Sequence, residues 1–177
     1  MRDVSCHRDR KQRYILSKYG QYIQGYFRYI DDLLLLWSGS TIEAMDMVQA
    51  LNQIESPIKF TSNISSTAVQ FLDLEIAITN QCLSYCLYSK PTDRNTILHS
   101  TSAHPVALKR SLPKAQFLRV IQNNSDVNIM EEQLKAMMER FLERGYRRND
   151  LVRALEEAKI AKSQGRSPKV GFSSHLS

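Results

Sequence analysis

The spacing of apolar residues changes once along this chain, and that change most constrains its fold. Between Gln70 and Tyr88 apolar and polar residues alternate, which predicts two strands joined by a turn at Asn80-Gln81. From His104 onward apolar residues recur every three or four positions, which predicts amphipathic helices. The strongest helical stripe is Leu134, Met137, Met138, Phe141 and Leu142. Strands followed by a run of helices indicate an α+β fold.

Three other segments carry readable patterns. Residues 26–37 predict a β-hairpin, because a short aromatic arm and a run of apolar residues flank the acidic pair Asp31-Asp32. Residues 41–52 predict a helix that Thr41 caps. Residues 58–64 alternate loosely and predict another strand. The first 25 residues are polar and basic, and no element is assigned to them.

Helix boundaries in the second half follow from turn and capping residues. Pro105 and Pro113 each fit the first turn of a helix. Asn128 with Glu131 three residues later resembles a capping box. Gly145 fits the position that stops the helix before it, and Asn149 can cap the next one. Two helices joined by residues 145–148 are compatible with a helix-turn-helix.

Charge is distributed unevenly along the 177 residues, whose formal net charge is +6. Residues 1–25 carry 6 basic and 2 acidic side chains, residues 26–103 carry 4 and 8, and residues 104–177 carry 14 and 8. An acidic centre between basic flanks suits a polyanionic partner. Three cysteines without a C-x-x-C pair favour a reducing compartment, and no signal peptide or membrane span is expected. An intracellular location, nuclear or cytoplasmic, is therefore expected.

The acidic pair is the main candidate for chemistry. Two adjacent carboxylates repel each other by roughly 4 kcal/mol at 4 Å and an effective dielectric near 20. A divalent cation such as Mg²⁺ relieves that repulsion, since it prefers carboxylate and phosphate oxygens. The alternative is an ordinary turn, in which Asp is common. The apolar residues on both sides of the pair favour the metal-binding interpretation.

Four motifs in a fixed order carry a family resemblance. Tyr29-Ile30-Asp31-Asp32 resembles the YxDD box of reverse transcriptases. Residues 71–76 resemble the FLDL-x-I strand, residues 88–96 the Y-x-KPTDRNT loop and residues 141–146 the F-x-x-RGY segment of Penelope-like retroelements. The chain thus resembles a Penelope-like reverse transcriptase over residues 26–159. The ordered set is far more specific than the YxDD box alone.

The resemblance implies an RNA-directed DNA polymerase, with a partial palm of β-hairpins plus one helix followed by a helical, thumb-like bundle. Asp31 and Asp32 would be its catalytic metal ligands for Mg²⁺, and nucleotidyl transfer to a primer end its reaction. RNA template and DNA primer would be its partners. The residues expected to contact nucleic acid are Arg28, Tyr29, Lys90, Arg94, Lys109, Arg110, Lys114 and Arg119.

The pattern departs from the family upstream of residue 29. No aspartate within an apolar strand precedes the YxDD box here, and 28 residues leave no room for fingers. The expected organisation is a basic segment (1–25), a partial palm (26–90), a helix-turn-helix-like thumb (91–162) and a disordered tail (163–177). A missing N-terminal polymerase half would then be a further partner. Because one aspartate box offers Mg²⁺ few ligands, weak or no metal binding and no activity alone are expected.

Two other functions stay open at this level. The chain could be a non-catalytic nucleic-acid-binding module of the helix-turn-helix type, in which only the basic helical half matters. It could also be an α+β interaction protein whose acidic pair is a chance turn. The arginines at 140, 144, 147 and 148 fit phosphate contacts and a solvated helix face about equally.

Overall fold

A computed structural model describes residues 4–79, 82–90, 92 and 94–165. Over those residues the fold is α+β, with five α-helices and two small antiparallel sheets, as the change of spacing predicts. Contacts divide the chain into two compact units, Met1–Leu72 and Asp73–Ser177. No helix in the described part of the chain is long and apolar enough to cross a membrane. The expected division into four segments stays a prediction.

The first unit is built around a tight hairpin. Strand β1 (Ile23–Tyr29) pairs with β2 (Asp32–Trp37), with Phe27 opposite Leu34 and Tyr29 opposite Asp32. The predicted hairpin is therefore confirmed. The other elements of this unit are α1 (Val4–Tyr19), a 3₁₀ turn (Gly20–Tyr22), α2 (Thr41–Gln53) and β3 (Ala68–Phe71).

Helix α1 lies within the first 25 residues, for which the sequence predicts no element. Lys11, Ile15 and Tyr19 lie four residues apart, so they share one helical face, and all three are buried. Met47 and Leu51 of α2 complete this core. The aromatic rings of Tyr19 and Tyr22 lie 6.3 Å and 5.1 Å from the ring of Trp37. A stripe of two apolar residues and one lysine is too polar to be recognised as a core face from sequence.

Helix α2 matches the predicted span, but its cap differs. Ser40, not Thr41, is the N-cap: its Oγ accepts a hydrogen bond from the backbone N–H of Glu43 (3.2 Å), and the Glu43 carboxylate accepts one from the Ser40 N–H (2.8 Å). This reciprocal capping box makes Thr41 the first helical residue.

The strand predicted over residues 58–64 is wrong. The side chain of Asn52 pairs with both backbone groups of Phe60, donating to its carbonyl (2.8 Å) and accepting from its N–H (2.7 Å). Lys11 Nζ donates to the Ile58 carbonyl (2.7 Å), and Lys59 Nζ donates to the Asn52 carbonyl. Side chains thus occupy the backbone groups that a strand ladder would use.

The second unit begins with another hairpin. Strand β4 (Leu74–Thr79) pairs with β5 (Cys82–Leu87), with Ile76 opposite Tyr85. The predicted turn at residues 80–81 lies outside the described residues. Leu72 does not continue β4 as predicted, because it adopts a positive φ of 55° in the turn that precedes the strand. Asp73 then accepts a hydrogen bond from the Tyr88 N–H through its backbone carbonyl (2.8 Å).

Three 17-residue helices make up the rest: α3 (Val106–Gln122), α4 (Val127–Glu143) and α5 (Arg148–Gln164). Leu134 and Phe141 of the predicted stripe lie in their core, and the other three residues of the stripe pack against it. The rings of Phe117 and Phe141 lie 5.8 Å apart. The buried residues of this core are Phe117, Val120, Ile121, Leu134, Phe141, Leu151, Ala154 and Ala158.

Several predicted helix boundaries are wrong by a few residues. Pro113 lies inside α3, because one helix runs on from the N-cap at Pro105. Asp126 rather than Asn128 caps α4, accepting from the N–H groups of residues 128 and 129. Residue 147 rather than Asn149 is the N-cap of α5. Of the predicted tail, residues 163–165 are described and Gln164 still belongs to α5; residues 166–177 lie outside the description.

Candidate nucleic-acid interface

The acidic pair lies at the tight turn of the first hairpin. Tyr29 pairs with Asp32, so only Ile30 and Asp31 form the loop. Ile30 adopts a positive φ of 51°, and Arg28 Nε donates to its carbonyl (3.2 Å). Asp31 and Asp32 are both exposed, and Tyr29 is 57% exposed. The hairpin therefore presents two carboxylates and an aromatic ring to solvent at one end.

Those two carboxylates offer an incomplete metal site by themselves. Within the described ranges, no group of three or more His, Cys, Asp or Glu side chains is placed to hold a metal ion. Mg²⁺ needs about six oxygens in near-octahedral order. Asp31 and Asp32 can supply some of these oxygens, and the rest would have to come from water, substrate phosphate or another protein segment.

A cleft of about 420 Å³ adjoins this turn. Arg28 and Asp31 contribute to its lining, and so do Lys11, Lys59 and Phe60. Lys11 is 1% exposed, and its Nζ lies 5.2 Å from the centre of the Phe60 ring. Burial lowers the pKa of Lys11, and the charge of Lys59 lowers it further. Sequence reasoning missed Lys11, because a lysine in a basic run is normally solvated.

The second unit carries a larger groove of about 1140 Å³ between α3 and α5. We call it the basic groove. It is defined by five cations and two acids: Lys109, Arg110, Lys114, Arg147, Arg153, Asp150 and Glu157. The first three cations are among those predicted to bind nucleic acid. Arg147 was left undecided by the sequence, and Arg153 was missed because its helical face is also acidic.

Internal partners hold several of these cations in place. Lys109 Nζ donates to the Ser102 carbonyl (2.7 Å). Lys114 Nζ lies 3.1 Å from the Glu157 carboxylate, and Arg153 Nη2 lies 2.8 Å from that of Asp150. Each of the four side chains in those two ion pairs is at least 44% exposed. Screened, exposed pairs of this kind are weak, so the cations remain available to another anion.

The remaining predicted contacts lie outside the basic groove. Arg119 Nη2 binds the Asp73 carboxylate at 2.6 Å, which turns it toward β4. Lys90 and Arg94 are exposed in the segment between β5 and α3, and the Arg94 carbonyl accepts a bond from Arg140 (3.2 Å). Arg28 and Tyr29 belong to the acidic turn.

The connection between α4 and α5 is tightly specified. Gly145 has a φ of 76°, a conformation that favours glycine, and its N–H donates to the Leu142 carbonyl (2.9 Å). The Ser100 N–H donates to the Arg144 carbonyl (2.9 Å), so the loop before α3 packs on this turn. The Tyr146 ring meets Phe141 edge-on, 5.1 Å between centres, and burial raises the pKa of Tyr146.

Asn95 of the predicted KPTDRNT loop also binds the end of α4. Its Nδ2 donates to the Arg140 carbonyl (2.7 Å) and to the Glu143 carboxylate (2.9 Å). The loop motif and the F-x-x-RGY segment, which sequence reasoning kept as separate signals, therefore belong to one packed arrangement. Residues 91 and 93 of the loop lie outside the description.

Part of the helical segment matches a known protein family. Residues 96–155 match the animal helix-turn-helix domain family. The match spans α3, α4 and the first half of α5, together with the turn at Gly145. It confirms the expected helix-turn-helix segment. No curated protein and no solved structure matches the chain.

Proposed function

We propose that this chain is the nucleic-acid-binding back part of a retroelement RNA-directed DNA polymerase of the Penelope-like type. In this proposal the helical unit binds the phosphate backbone of primer and template. The hairpin contributes Asp31 and Asp32 to the catalytic centre of the intact enzyme. The chain alone does not extend a primer.

The observation that carries the binding part is the coincidence of two independent findings. The basic groove is lined by α3 and α5, and the helix-turn-helix match covers α3 and the first half of α5. Helix-turn-helix modules commonly bind nucleic acid, and lysines and arginines supply the sequence-independent part of that affinity by neutralising phosphates. Neither a fold match alone nor a basic patch alone would favour this function as strongly.

The polymerase part is supported by the geometry of the acidic turn and by motif order. A two-residue loop places adjacent carboxylates at the exposed end of an antiparallel hairpin. When bound, Mg²⁺ stabilises the attacking and leaving oxygens of a phosphoryl transfer. Asp31 and Asp32 would hold that ion together with ligands from outside this chain. The resemblance across residues 26–159 supports the same assignment.

Nucleic-acid binding is tested with groove variants and a salt series. Binding to a labelled primer–template duplex is measured by fluorescence anisotropy between 50 and 200 mM salt. The double variant Arg110→Gln/Arg147→Gln is expected to reduce the slope of log K against log salt by about 2, because two phosphate contacts are lost. Arg148→Gln is the matched control, since Arg148 is exposed but does not line the groove. Absent binding, or an equal loss in the control, would overturn the proposal.

The acidic pair is tested separately from the groove. Asp31→Asn/Asp32→Asn should abolish any Mg²⁺ binding heat in calorimetry while leaving duplex affinity unchanged or raised. Unaltered Mg²⁺ binding in this variant would remove the pair from the metal site and favour the alternative, a non-catalytic helix-turn-helix module. Primer extension by the purified chain with Mg²⁺ and dNTPs would contradict the expected lack of activity.

A further inference from the structure

We infer that the basic groove binds one sugar–phosphate ridge of a nucleic-acid duplex without reading base edges, and that Glu157 competes with the phosphates for Lys114. This inference rests on the proposed nucleic-acid function and names the form of nucleic acid bound. It also assigns a role to a carboxylate that the proposed function leaves out.

The groove is concave, which limits how it can contact a duplex. A helix that reads base edges must project from its domain into the major groove of DNA. The face of α5 that carries Asp150, Ala154 and Glu157 instead lines a concavity together with α3. Ala154 is only 8% exposed and belongs to the core, so this face cannot be inserted between two phosphate strands. A concave, basic surface fits a convex ridge, and the ridge of a duplex is its sugar–phosphate backbone.

Base stacking requires an exposed aromatic ring in the groove. Sequence-tolerant sites for single strands combine cations with aromatic rings on which bases stack. Tyr146 is the one aromatic residue among the described side chains that line the groove. Its ring packs edge-on against Phe141, and its hydroxyl is buried without a hydrogen-bond partner in the described part of the chain. The groove therefore offers phosphates a site but offers bases no exposed ring.

Cations line the groove from both walls. Lys109 and Lys114 lie on α3. Arg147 and Arg153 face the groove from α5. Cations on both walls can contact one strand from two sides.

Glu157 lowers the affinity of this arrangement. Its carboxylate lies 3.1 Å from Lys114 Nζ, with both side chains about half exposed. A phosphate must displace this carboxylate to reach the lysine, and the carboxylate also repels the phosphate. Because an exposed ion pair is weak, its removal is expected to tighten duplex binding about two- to fivefold.

The experiment measures duplex affinity by anisotropy for Glu157→Gln and for the matched control Glu156→Gln, whose side chain is exposed outside the groove. Glu157→Gln should bind about two- to fivefold more tightly, equally on two duplexes of unrelated sequence, and Glu156→Gln should match the wild type. Lys114→Gln should weaken binding, and Glu157→Gln should add nothing in that background, which shows that the glutamate acts through Lys114. Circular dichroism melts of all variants verify folding.

The possible results distinguish failure of this inference from failure of the proposed nucleic-acid binding. Binding to no nucleic acid overturns both. Binding that favours a single strand or one duplex sequence overturns the inference and leaves nucleic-acid binding intact. Unchanged or weaker duplex binding by Glu157→Gln likewise overturns the inference alone.

Discussion

Bulky residues with positive φ occur at the turns of two of the resembled motifs. Ile30 has a φ of 51° before Asp31, and Leu72 has a φ of 55° before Asp73. This left-handed region is unfavourable for side chains that branch at Cβ, such as Ile30, and glycine normally occupies it. Strain of this kind persists where the surrounding structure or a functional demand requires a side chain.

Replacing Ile30 with glycine tests that strain. Ile30→Gly should stabilise the chain by about 0.5–1 kcal/mol, because relief of the backbone strain exceeds the entropy that glycine adds to the unfolded state. The matched control is Ile42→Gly in α2, where the same change should destabilise, since glycine is a poor helix former. Both are measured by urea unfolding, followed through the fluorescence of Trp37. Destabilisation by Ile30→Gly would show that contacts of the Ile30 side chain stabilise the folded state by more than its strained backbone destabilises it.

Gly145 is the opposite case, a position where a side chain is excluded. A Cβ at this residue would lie 2.8 Å from Ser100 Oγ, and its φ is 76°. Gly145→Ala should therefore cost about 1–2 kcal/mol of unfolding free energy, measured by urea unfolding followed by circular dichroism. At Gly20 an added Cβ meets nothing within 4 Å, so Gly20→Ala should change stability by less than about 0.5 kcal/mol. Equal effects at the two glycines would contradict this account.

At the scale of elements, the spacing of apolar residues predicts the existence of a helix or strand better than it predicts the residue at which that element begins. The stripe from Leu134 to Leu142 predicts α4, and alternation predicts β4 and β5, because each pattern repeats several times. Caps depend on one side chain, and neighbouring residues such as Ser40 and Thr41 are chemically similar. The false strand at residues 58–64 arose because no local pattern shows that Asn52, eight residues before Phe60, binds its backbone.

The capping assignment can be tested by one pair of alanines. Ser40→Ala should destabilise the first unit by about 1 kcal/mol, because the Glu43 N–H loses its acceptor. Thr41→Ala should be neutral or slightly stabilising, since Thr41 is already helical and alanine is the better helix former. Urea midpoints followed by Trp37 fluorescence separate the two outcomes. A larger loss of stability in Thr41→Ala than in Ser40→Ala would instead support Thr41 as the N-cap.

The buried lysine of α1 gives a pH dependence with a defined sign. Burial lowers the pKa of Lys11 below its ordinary 10.5, so in the window between the lowered value and 10.5 the unfolded chain binds more protons than the folded one. The contribution of Lys11 to stability therefore increases as pH rises through that window. In urea unfolding between pH 8 and 10.5, Lys11→Met should lack this component of the pH dependence. An identical pH dependence in both proteins would refute burial of the charged group.

At the scale of the whole molecule, the site was only partly predictable because its residues come from distant segments. The YxDD turn is local, so Asp31, Asp32, Arg28 and Tyr29 could be grouped from sequence. The basic groove joins α3 to α5, and the sequence could not show that Arg153 and Lys114 line the same groove while Arg119 binds Asp73 outside it. Charge counts reveal an excess of basic residues in this part of the chain, but they do not show which of those residues line the basic groove.

Over the described side chains, the buried clusters of the two units differ in size. Ile15, Tyr19, Met47 and Leu51 form that of the first unit, whereas eight buried residues form that of the second. In the described residues β2 pairs only with β1, and a two-stranded sheet contributes little stability by itself. Phe27 of β1 is also 40% exposed, and an exposed apolar side chain on a sheet with open edges favours association between copies.

These differences predict two unfolding transitions. Trp37, the one tryptophan of the chain, reports on the first unit, whereas most helical residues lie in α3, α4 and α5. The fluorescence midpoint in urea should therefore come at a lower concentration than the circular dichroism midpoint at 222 nm. Phe141→Ala removes a fully buried ring and should reduce the unfolding free energy of the second unit by about 3–5 kcal/mol. The circular dichroism midpoint should therefore fall, whereas the fluorescence midpoint should not move. Coincident midpoints that shift together in this variant would mean that the two cores unfold as one cooperative unit.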